Sequence, residues 1–589
     1  MKKLLIYLKD YKKESVLAPL FKMLEAFFEL LVPLVMANII DRGISTADTG
    51  YIGKMGFYLI ILAAVGLVCS ITAQFYAARA AVGFSAKLRQ ALFDHIQGLN
   101  FTNLDKAGTS TMITRMTSDV NQVQSGVNMV LRLFLRSPII VFGAMIMAFT
   151  IDIKSGLIFV AAIPLLAAVV FGIMAVTIPL YRKVQAALDQ VLGITRENLS
   201  GVRVIRAFHQ EEHEEKRFQE SNETLTALQI FVGKLSACMN PVTFVVVNAG
   251  MIALIYTGAI QVNIGNLTQG EVVAILNYMS QILVELIKLA NLIITITKAL
   301  ACADRVAGVF EIQNEENETP HITEDCGDPA ISTGCPFLTF DHVSLTYQGA
   351  GASALHNIHF TVEKGETIGV IGGTGSGKTS LINLIPGFYP VTDGRICLEG
   401  KDIRMLPEET LRKRIGVVPQ KAVLFKGSIR SNLQWGKADA TEEELWEAIS
   451  LAQAEEVVEG KDGKLDGEVA QNGRNYSGGQ RQRLTIARAL IRKPEILILD
   501  DSASALDYAT DLKLRQALKS IAGHTTVFIV SQRASAIRHA DKIIVLHDGE
   551  MAGMGTHEDL LSSCKVYQEI YFSQYPEEKT GQRTGGNPA

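Results

Sequence analysis

Gly372-Gly373-Thr374-Gly375-Ser376-Gly377-Lys378-Thr379 is the stretch from which the rest of this 589-residue chain can be read. It fits G-x-x-x-x-G-K-[ST], a loop whose backbone N–H groups close around phosphates. Its flanks suit that reading: Thr367–Ile371 has the apolar run of a buried strand, and Ser380–Leu384 reads as a helix. A phosphate loop needs glycines where the backbone bends, a point charge, and the dipole of a helix N-terminus. Lys378 supplies the charge, and the Thr379 hydroxyl is placed to hold Mg²⁺. A plain glycine turn with a solvated lysine would explain the loop alone, but not the strand before it and the helix after it. The stretch predicts a nucleoside triphosphate site.

Downstream, from about Pro336, short strands and helices alternate, which predicts an α/β domain. Glu495–Asp500 reads as a buried strand ending in a carboxylate, where a second Mg²⁺-ordering group has to sit. Tyr347 is placed to stack on a base, and Gln420, closing Gly416-Val417-Val418-Pro419, offers an amide oxygen to Mg²⁺ and water. Ser477-Gly478-Gly479-Gln480, directly before the helical Arg481–Leu490, is a second anion-binding helix start. The chain's own nucleotide already has its loop, so this second start suits a nucleotide held by another domain.

Upstream, six apolar runs before residue 300 are long enough to span a bilayer. Phe57–Ala78 and Ser155–Tyr181 carry no charge. Pro138–Ile151, extended back to about Val130, is a third, joined to the next by an Asp152-Ile153-Lys154 turn. Two more lie within Val242–Ile260 and Val272–Ile296, and Val16–Ile40 is interrupted by Lys22, Glu25 and Glu29. Cationic residues gather at the start (Lys2, Lys3, Lys9, Lys12, Lys13) and in connections 80–130 and 182–234, which puts those segments and the C-terminal half in the cytosol. Both long connections have helical periodicity, broken near Asn100–Gly108 and Ala207–Glu215; short turns there would form tips able to touch a cytosolic domain. Glu25 and Glu29, and Glu285 with Lys288, are costly inside a membrane. They either pair within the bundle or line a cavity that accepts cations.

The net charge of −4 gives no reason to expect a nucleic-acid partner. None of the seven cysteines forms a C-x-x-C pair; Cys326 and Cys335 are closest in sequence, but a cytosolic setting favours free thiols. No cleavable signal stands out at Met1–Lys13. The predicted organisation is a transmembrane domain over 1–300, a linker over 301–335, a nucleotide-binding domain over 336–575 and a tail over 576–589.

Taken in order, the glycine loop, the Gln420 loop, Ser477–Gln480, the Asp500 strand and the Ser504-Ala505-Leu506-Asp507 turn resemble the ATP-binding cassette. Six spans before one cassette resemble an exporter-type half-transporter over almost the whole chain. The resemblance implies an all-α six-helix membrane domain followed by an α/β cassette, with ATP and Mg²⁺ as cofactors. Gly372 to Ser380, Tyr347 and Gln420 would bind the nucleotide, and Thr379, Gln420 and Asp500 the metal. It also implies two cassettes closing head to tail, so that Ser477, Gly478, Gly479 and Gln480 act at the partner's ATP, with Asp507 a further catalytic residue. The tips at 100–108 and 207–215 resemble coupling helices. The implied setting is a bacterial cytoplasmic membrane, crossed several times, with an amphiphilic small molecule as cargo.

Three features depart from that pattern. Asp501 stands where most members carry a glutamate that orients the attacking water. Gln532 stands where the family places a histidine on the γ-phosphate, and Ala470-Gln471 replaces Gly-Glu. Asp is shorter by about 1.5 Å, and glutamine cannot carry a proton as imidazole does. The signature itself is nearly intact, with Tyr476 for leucine. This combination resembles the degenerate subunit of a heterodimeric multidrug exporter, whose own site binds ATP and hydrolyses it slowly. The alternatives are a homodimer with two weak sites, an importer of exporter-like fold, and a gated channel.

Overall fold

Among the described residues, six helical stretches are long and apolar enough to cross a membrane: Leu4–Ile44, Thr49–Gln97, Thr109–Ile151, Ile153–Ala207, Glu211–Ile264 and Gln269–Phe310. Each contains one of the six apolar runs. The structure, a computed structural model, describes residues 4–314, 336–502, 504–521 and 523–577. It divides into two units, Met1–Leu99 with Ala107–Gln313, and Asn100–Lys106 with Asn314–Ala589.

At about 1.5 Å per residue, the 49-residue Thr49–Gln97 and the 55-residue Ile153–Ala207 far outrun a hydrocarbon core of about 30 Å. Local chemistry sets where the helices start and stop. The Asp48 carboxylate accepts from the Tyr51 N–H, and Asp152, in extended conformation, accepts from the Ser155 N–H. Thr268 and Glu271 form a reciprocal cap on the sixth stretch. The third span is not one helix: a turn at Phe134–Leu135 separates Val120–Leu133 from Arg136–Ile151, within the run expected to extend back to Val130. The sixth helix continues to Phe310, past residue 301 where the linker is expected. At the first tip the chain forms a short helix, Phe101–Ala107, closed by Gly108 at φ 75°, instead of a bare turn. At the second it turns at Phe208–Gln210, with His209 at φ 53°.

Inside the helical unit, a stripe of fully buried Ala73, Ala77 and Ala80 lets neighbouring backbones approach. The membrane acids are paired. Arg136 donates at 2.7 Å to Glu285 and at 2.7 Å to Glu29, Lys288 meets Glu285 at 2.8 Å, and Lys22 meets Glu25 at 2.6 Å. Three cations thus balance Glu25, Glu29 and Glu285. The geometry favours pairing within the bundle over an uncompensated anionic cavity, and Arg136, which the sequence reading passed over, is the hub.

The described residues of the second unit form two sheets and a short ribbon. β1 (Leu338–Leu345), β2 (Leu355–Val362), β4 (Asp393–Leu398) and β5 (Lys401–Asp402) form an antiparallel sheet in the order β2-β1-β4-β5. The larger sheet takes β3 (Thr367–Gly372), β6 (Ile415–Val418), β9 (Ile496–Asp500), β10 (Thr526–Val530), β11 (Lys542–His547) and β12 (Glu550–Gly555) in the order β12-β11-β3-β10-β9-β6. β7 (Gly427–Ser428) and β8 (Glu468–Val469) make the ribbon. β3, β10 and β9 run parallel and side by side, each a near-continuous apolar run because both faces are covered. Their C-terminal ends share one edge, which is where ligands bind in parallel sheets.

Cys69, Cys238, Cys302 and Cys564 are free thiols. Cys397 on β4 is disulfide-bonded, which corrects the expectation of free thiols throughout. Compartment is a guide to redox state and says nothing about which side chains a fold brings within reach. Cys326 and Cys335 lie outside the described residues.

Candidate functional site

The C-terminal ends of β3, β9 and β10 open into a cavity of about 400 Å³. Thr374, Gly375, Gly377, Lys378, Thr379 and Ser380 line it from the phosphate loop; Asp500 and Asp501 come from the end of β9, and Gln532 from beyond β10. Tyr347 and Gln420 close its sides. Eleven residues singled out from the sequence therefore meet in one place.

The loop bends as its glycines require. Gly377 sits at φ 93°, and a Cβ there would come within 2.8 Å of the Ala354 carbonyl oxygen. The helix Lys378–Leu384 follows at once, its first N–H groups at the cavity floor. Lys378 Nζ donates to the carbonyls of Gly373 at 2.6 Å and Gly372 at 3.0 Å. Burial holds its ammonium below the ordinary lysine range, against the pull of Asp500 and Asp501. The Thr379 hydroxyl lies 3.3 Å from Asp500 Oδ2. Burial raises the Asp500 carboxyl above its usual range, and the neighbouring Asp501 adds to this; Thr379 and Lys378 oppose it. A hydroxyl beside a carboxylate at a loop of N–H donors is an oxygen set that suits Mg²⁺ on a triphosphate. That fit is a matter of donor chemistry: two hard oxygens for the cation, amides and an ammonium for the phosphates.

Tyr347 is held by its hydroxyl, which donates to Ser380 Oγ at 2.9 Å, and by Tyr389, edge-on at 5.1 Å. Asp501 sits at φ 44°, a conformation that Asp tolerates better than most residues. Its N–H donates to the Val530 carbonyl at 2.9 Å and its carbonyl accepts from Ser504 Oγ at 2.7 Å. Gln574 donates to the Gln532 carbonyl at 2.8 Å, fixing that backbone from the C-terminal helix Lys565–Gln574.

Ser477, Gly478, Gly479, Gln480 and Asp507 do not line this cavity. Ser477 caps the helix Gly478–Leu490: its side chain accepts from the Gln480 N–H at 3.3 Å, and the Gln480 amide oxygen accepts from the Ser477 N–H at 2.9 Å. Asp507 accepts from the Thr510 N–H at 3.1 Å at the head of Tyr508–Ile521. Ser477 and Gly478 are exposed.

The sequence reading missed Tyr389, Phe388 and Gln574. Phe101 lies 4.6 Å from the Phe388 ring, and the Tyr389 hydroxyl donates to Asp105 at 2.6 Å, so residues 100–106 are anchored beside the wall of the site. An aromatic pair in the turn Gly387-Phe388-Tyr389-Pro390 was the available signal.

Residues 15–286 match the family model of the ABC transporter transmembrane region, and residues 355–504 that of the ABC transporter. The chain is 36% identical over 578 residues to the Bacillus subtilis protein named uncharacterized ABC transporter ATP-binding protein YfiB, covering 98% of this chain and 99% of that one. It is 32% identical to the putative multidrug export ATP-binding/permease protein YgaD of Bacillus subtilis, across 98% of this chain and 99% of the other. It is 30% identical to the ATP-dependent lipid A-core flippase of Syntrophus aciditrophicus, covering 85% and 82%. A solved bacterial Atm1-family ABC exporter with ATP bound matches in fold with a TM-score of 0.76 at 22% identity, over 98% and 99% of the two chains.

Proposed function

The chain belongs to the ATP-binding cassette transporters as a half-transporter of exporter build, and from that premise we propose that it works as one subunit of a heterodimer. Its own site holds Mg²⁺·ATP and hydrolyses it slowly, while Ser477–Gln480 completes the partner's competent site. The observation that carries this is the meeting of Asp501 and Gln532 in the cavity that also holds Lys378 and Thr379. A short acid and a neutral amide occupy the two places that resemblance gives to a base and an imidazole. A misplacement near 1 Å can cost ~100-fold, and the amide cannot take up the proton. The exposed Phe208 and the turn around it suit docking on the second subunit's cassette.

In this proposal, residues 1–300 form the membrane domain, 336–575 the cassette on the cytosolic side, and 576–589 a tail, in a cytoplasmic membrane. The cargo is an amphiphilic small molecule, in keeping with relatives named for multidrug export and lipid flipping. The test is to tag the chain, purify it gently from its native membrane and identify what accompanies it. A second half-transporter at equal stoichiometry, with Glu and His at the matching positions, is the expected result. Recovery of this chain alone as a homodimer would overturn the heterodimer.

A further inference from the structure

On the outer sheet of the second unit the strand alternation slips. Along β1, Phe340 and Val343 are both buried, with two residues between them that face outward, Asp341 and His342. On β2 the partners of Phe340 and Val343 are Phe360 and Ile358, with His359 alone between them. Two residues therefore stand opposite one, a bulge, and such an insertion re-aims a side chain that regular pleating would send to the other face. His342 takes φ 50° to make it. The bulge is supported from behind: Gly394 on β4 approaches so closely that a Cβ there would run into the carbonyls of Asp341 and His342.

The result is a cluster in which one donor atom from each of Asp341, His342 and His359 lies within 4.8 Å of the other two. The two imidazole rings stack at 5.0 Å. Each of two ligand candidates also has an outer partner that orients it. Asp341 Oδ2 accepts from Arg395 Nε at 3.0 Å, while Oδ1 is 3.8 Å from His359 Nδ1. His342 Nδ1 is 2.6 Å from Asn357 Oδ1, so the proton sits on Nδ1 and the lone pair on Nε2. Metal-bound histidines and carboxylates are held by outer partners of this kind.

We propose that Asp341, His342 and His359 form a divalent metal site of the zinc class, distinct from the Mg²⁺ of the nucleotide. Two imidazole nitrogens and one carboxylate oxygen, with water at the open positions, suit Zn²⁺ or Co²⁺ and not the all-oxygen preference of Mg²⁺ or Ca²⁺. A bound ion ties β1 to β2 in the strand that runs on to Tyr347, the residue at the side of the nucleotide cavity.

The test uses the intact chain in detergent, affinity tag removed, stripped with chelator and kept in excess Mg²⁺. Titration with Co²⁺ is followed by visible absorption, and with Zn²⁺ by calorimetry and thermal unfolding. The expected result is one ion per chain, a Co²⁺ spectrum of four- or five-coordinate type, and a rise in unfolding temperature with Zn²⁺. His342→Ala or His359→Ala weakens binding by at least ~10-fold, Arg395→Gln by about 10-fold, and the neighbouring His356→Ala leaves it unchanged. ATP binding by each variant reports that the fold is kept, since none of these residues lines the nucleotide cavity. Equal metal binding by wild type and the double variant His342→Ala/His359→Ala, or an octahedral aqua-type Co²⁺ spectrum, overturns the proposal.

Discussion

Two helices of the second unit begin in sequences made for an anion, and they end in opposite circumstances. Lys378–Leu384 begins inside a cavity that the same chain completes around Lys378 with two carboxylates, Asp500 and Asp501, and two amides, Gln420 and Gln532. Gly478–Leu490 begins at the surface, where a Cβ on Gly478 would meet nothing within 4 Å. A capping box engages the N–H groups of Ser477 and Gln480, and Gly479 backs onto the Ala505 carbonyl at 2.9 Å from a notional Cβ. The local chemistry of the two starts is alike. What differs is whether the topology brings other strand ends to the same point. In the proposed assembly the first is a whole site and the second is half of one, to be completed from outside the chain.

The sharpest way to break that comparison is to spoil the half-site while leaving the whole one alone. Gly478→Asp places a carboxylate where the γ-phosphate of the partner's nucleotide would approach. Its exposed setting predicts normal folding and normal ATP binding in the cavity around Lys378. ATPase activity of the co-purified complex is expected to fall at least ~100-fold, the scale of losing a preorganised anion donor. Turnover within a few-fold of wild type would mean that the helix start at Ser477 contacts no nucleotide.

The converse variant, Lys378→Ala, tests the whole site. Loss of a charge-assisted contact predicts ATP affinity at this cavity lower by about 10- to 100-fold, read with a fluorescent nucleotide. The phosphates need Lys378 as an ammonium, and burial holds that group below the ordinary lysine range. Affinity should therefore fall as pH rises, starting lower on the scale than an exposed lysine would dictate. A pH profile unaltered by Lys378→Ala would assign the alkaline fall to another group.

Both helix starts were legible in the sequence because each is a run of adjacent residues whose backbone does the chemistry. Strand β3 and strand β9, Thr379 and Asp500 were legible for the same reason: apolar runs with punctuation at their ends. Arg136 was not, since its partners Glu29 and Glu285 come from helices distant in sequence. A lone arginine before an apolar run gives no sign of whom it will meet. Nor was the cluster of Asp341, His342 and His359, which depends on a register shift between two strands. The membrane helices were legible as spans, whereas the break at Phe134–Leu135 was read through although Pro138, in the first turn of Arg136–Ile151, has no N–H to bond the Phe134 carbonyl.

A gain of function would sharpen the comparison further. Asp501→Glu with Gln532→His restores the longer acid and the imidazole in the cavity that already holds Lys378, Thr379 and Asp500. Hydrolysis at this site, measured with the partner's own site disabled, should rise about 10-fold. That is below the roughly 10²–10⁴ that a positioned base contributes, because the backbone at φ 44° was set for Asp. No rise at all would place the defect elsewhere in the site.

The smallest expected effect is the most discriminating. If Asp501 is not the working base of this complex, removing its charge should leave turnover within about 2-fold, whereas loss of a general base costs on the order of 100-fold or more. Asp501→Asn is the cleaner variant, since Asn keeps the shape and tolerates the left-handed backbone, while Asp501→Ala adds strain at that φ. The substitution also has a sign that can be worked out. The Asp501 charge helps to hold the Asp500 carboxyl above its usual range, after burial. Without it, Asp500 ionises at lower pH, and Mg²⁺·ATP binding, which needs the carboxylate, should persist further into acid. A complex whose turnover is unchanged while its acid limit for Mg²⁺·ATP moves down is one in which Asp501 tunes a holding site and another chain performs the hydrolysis.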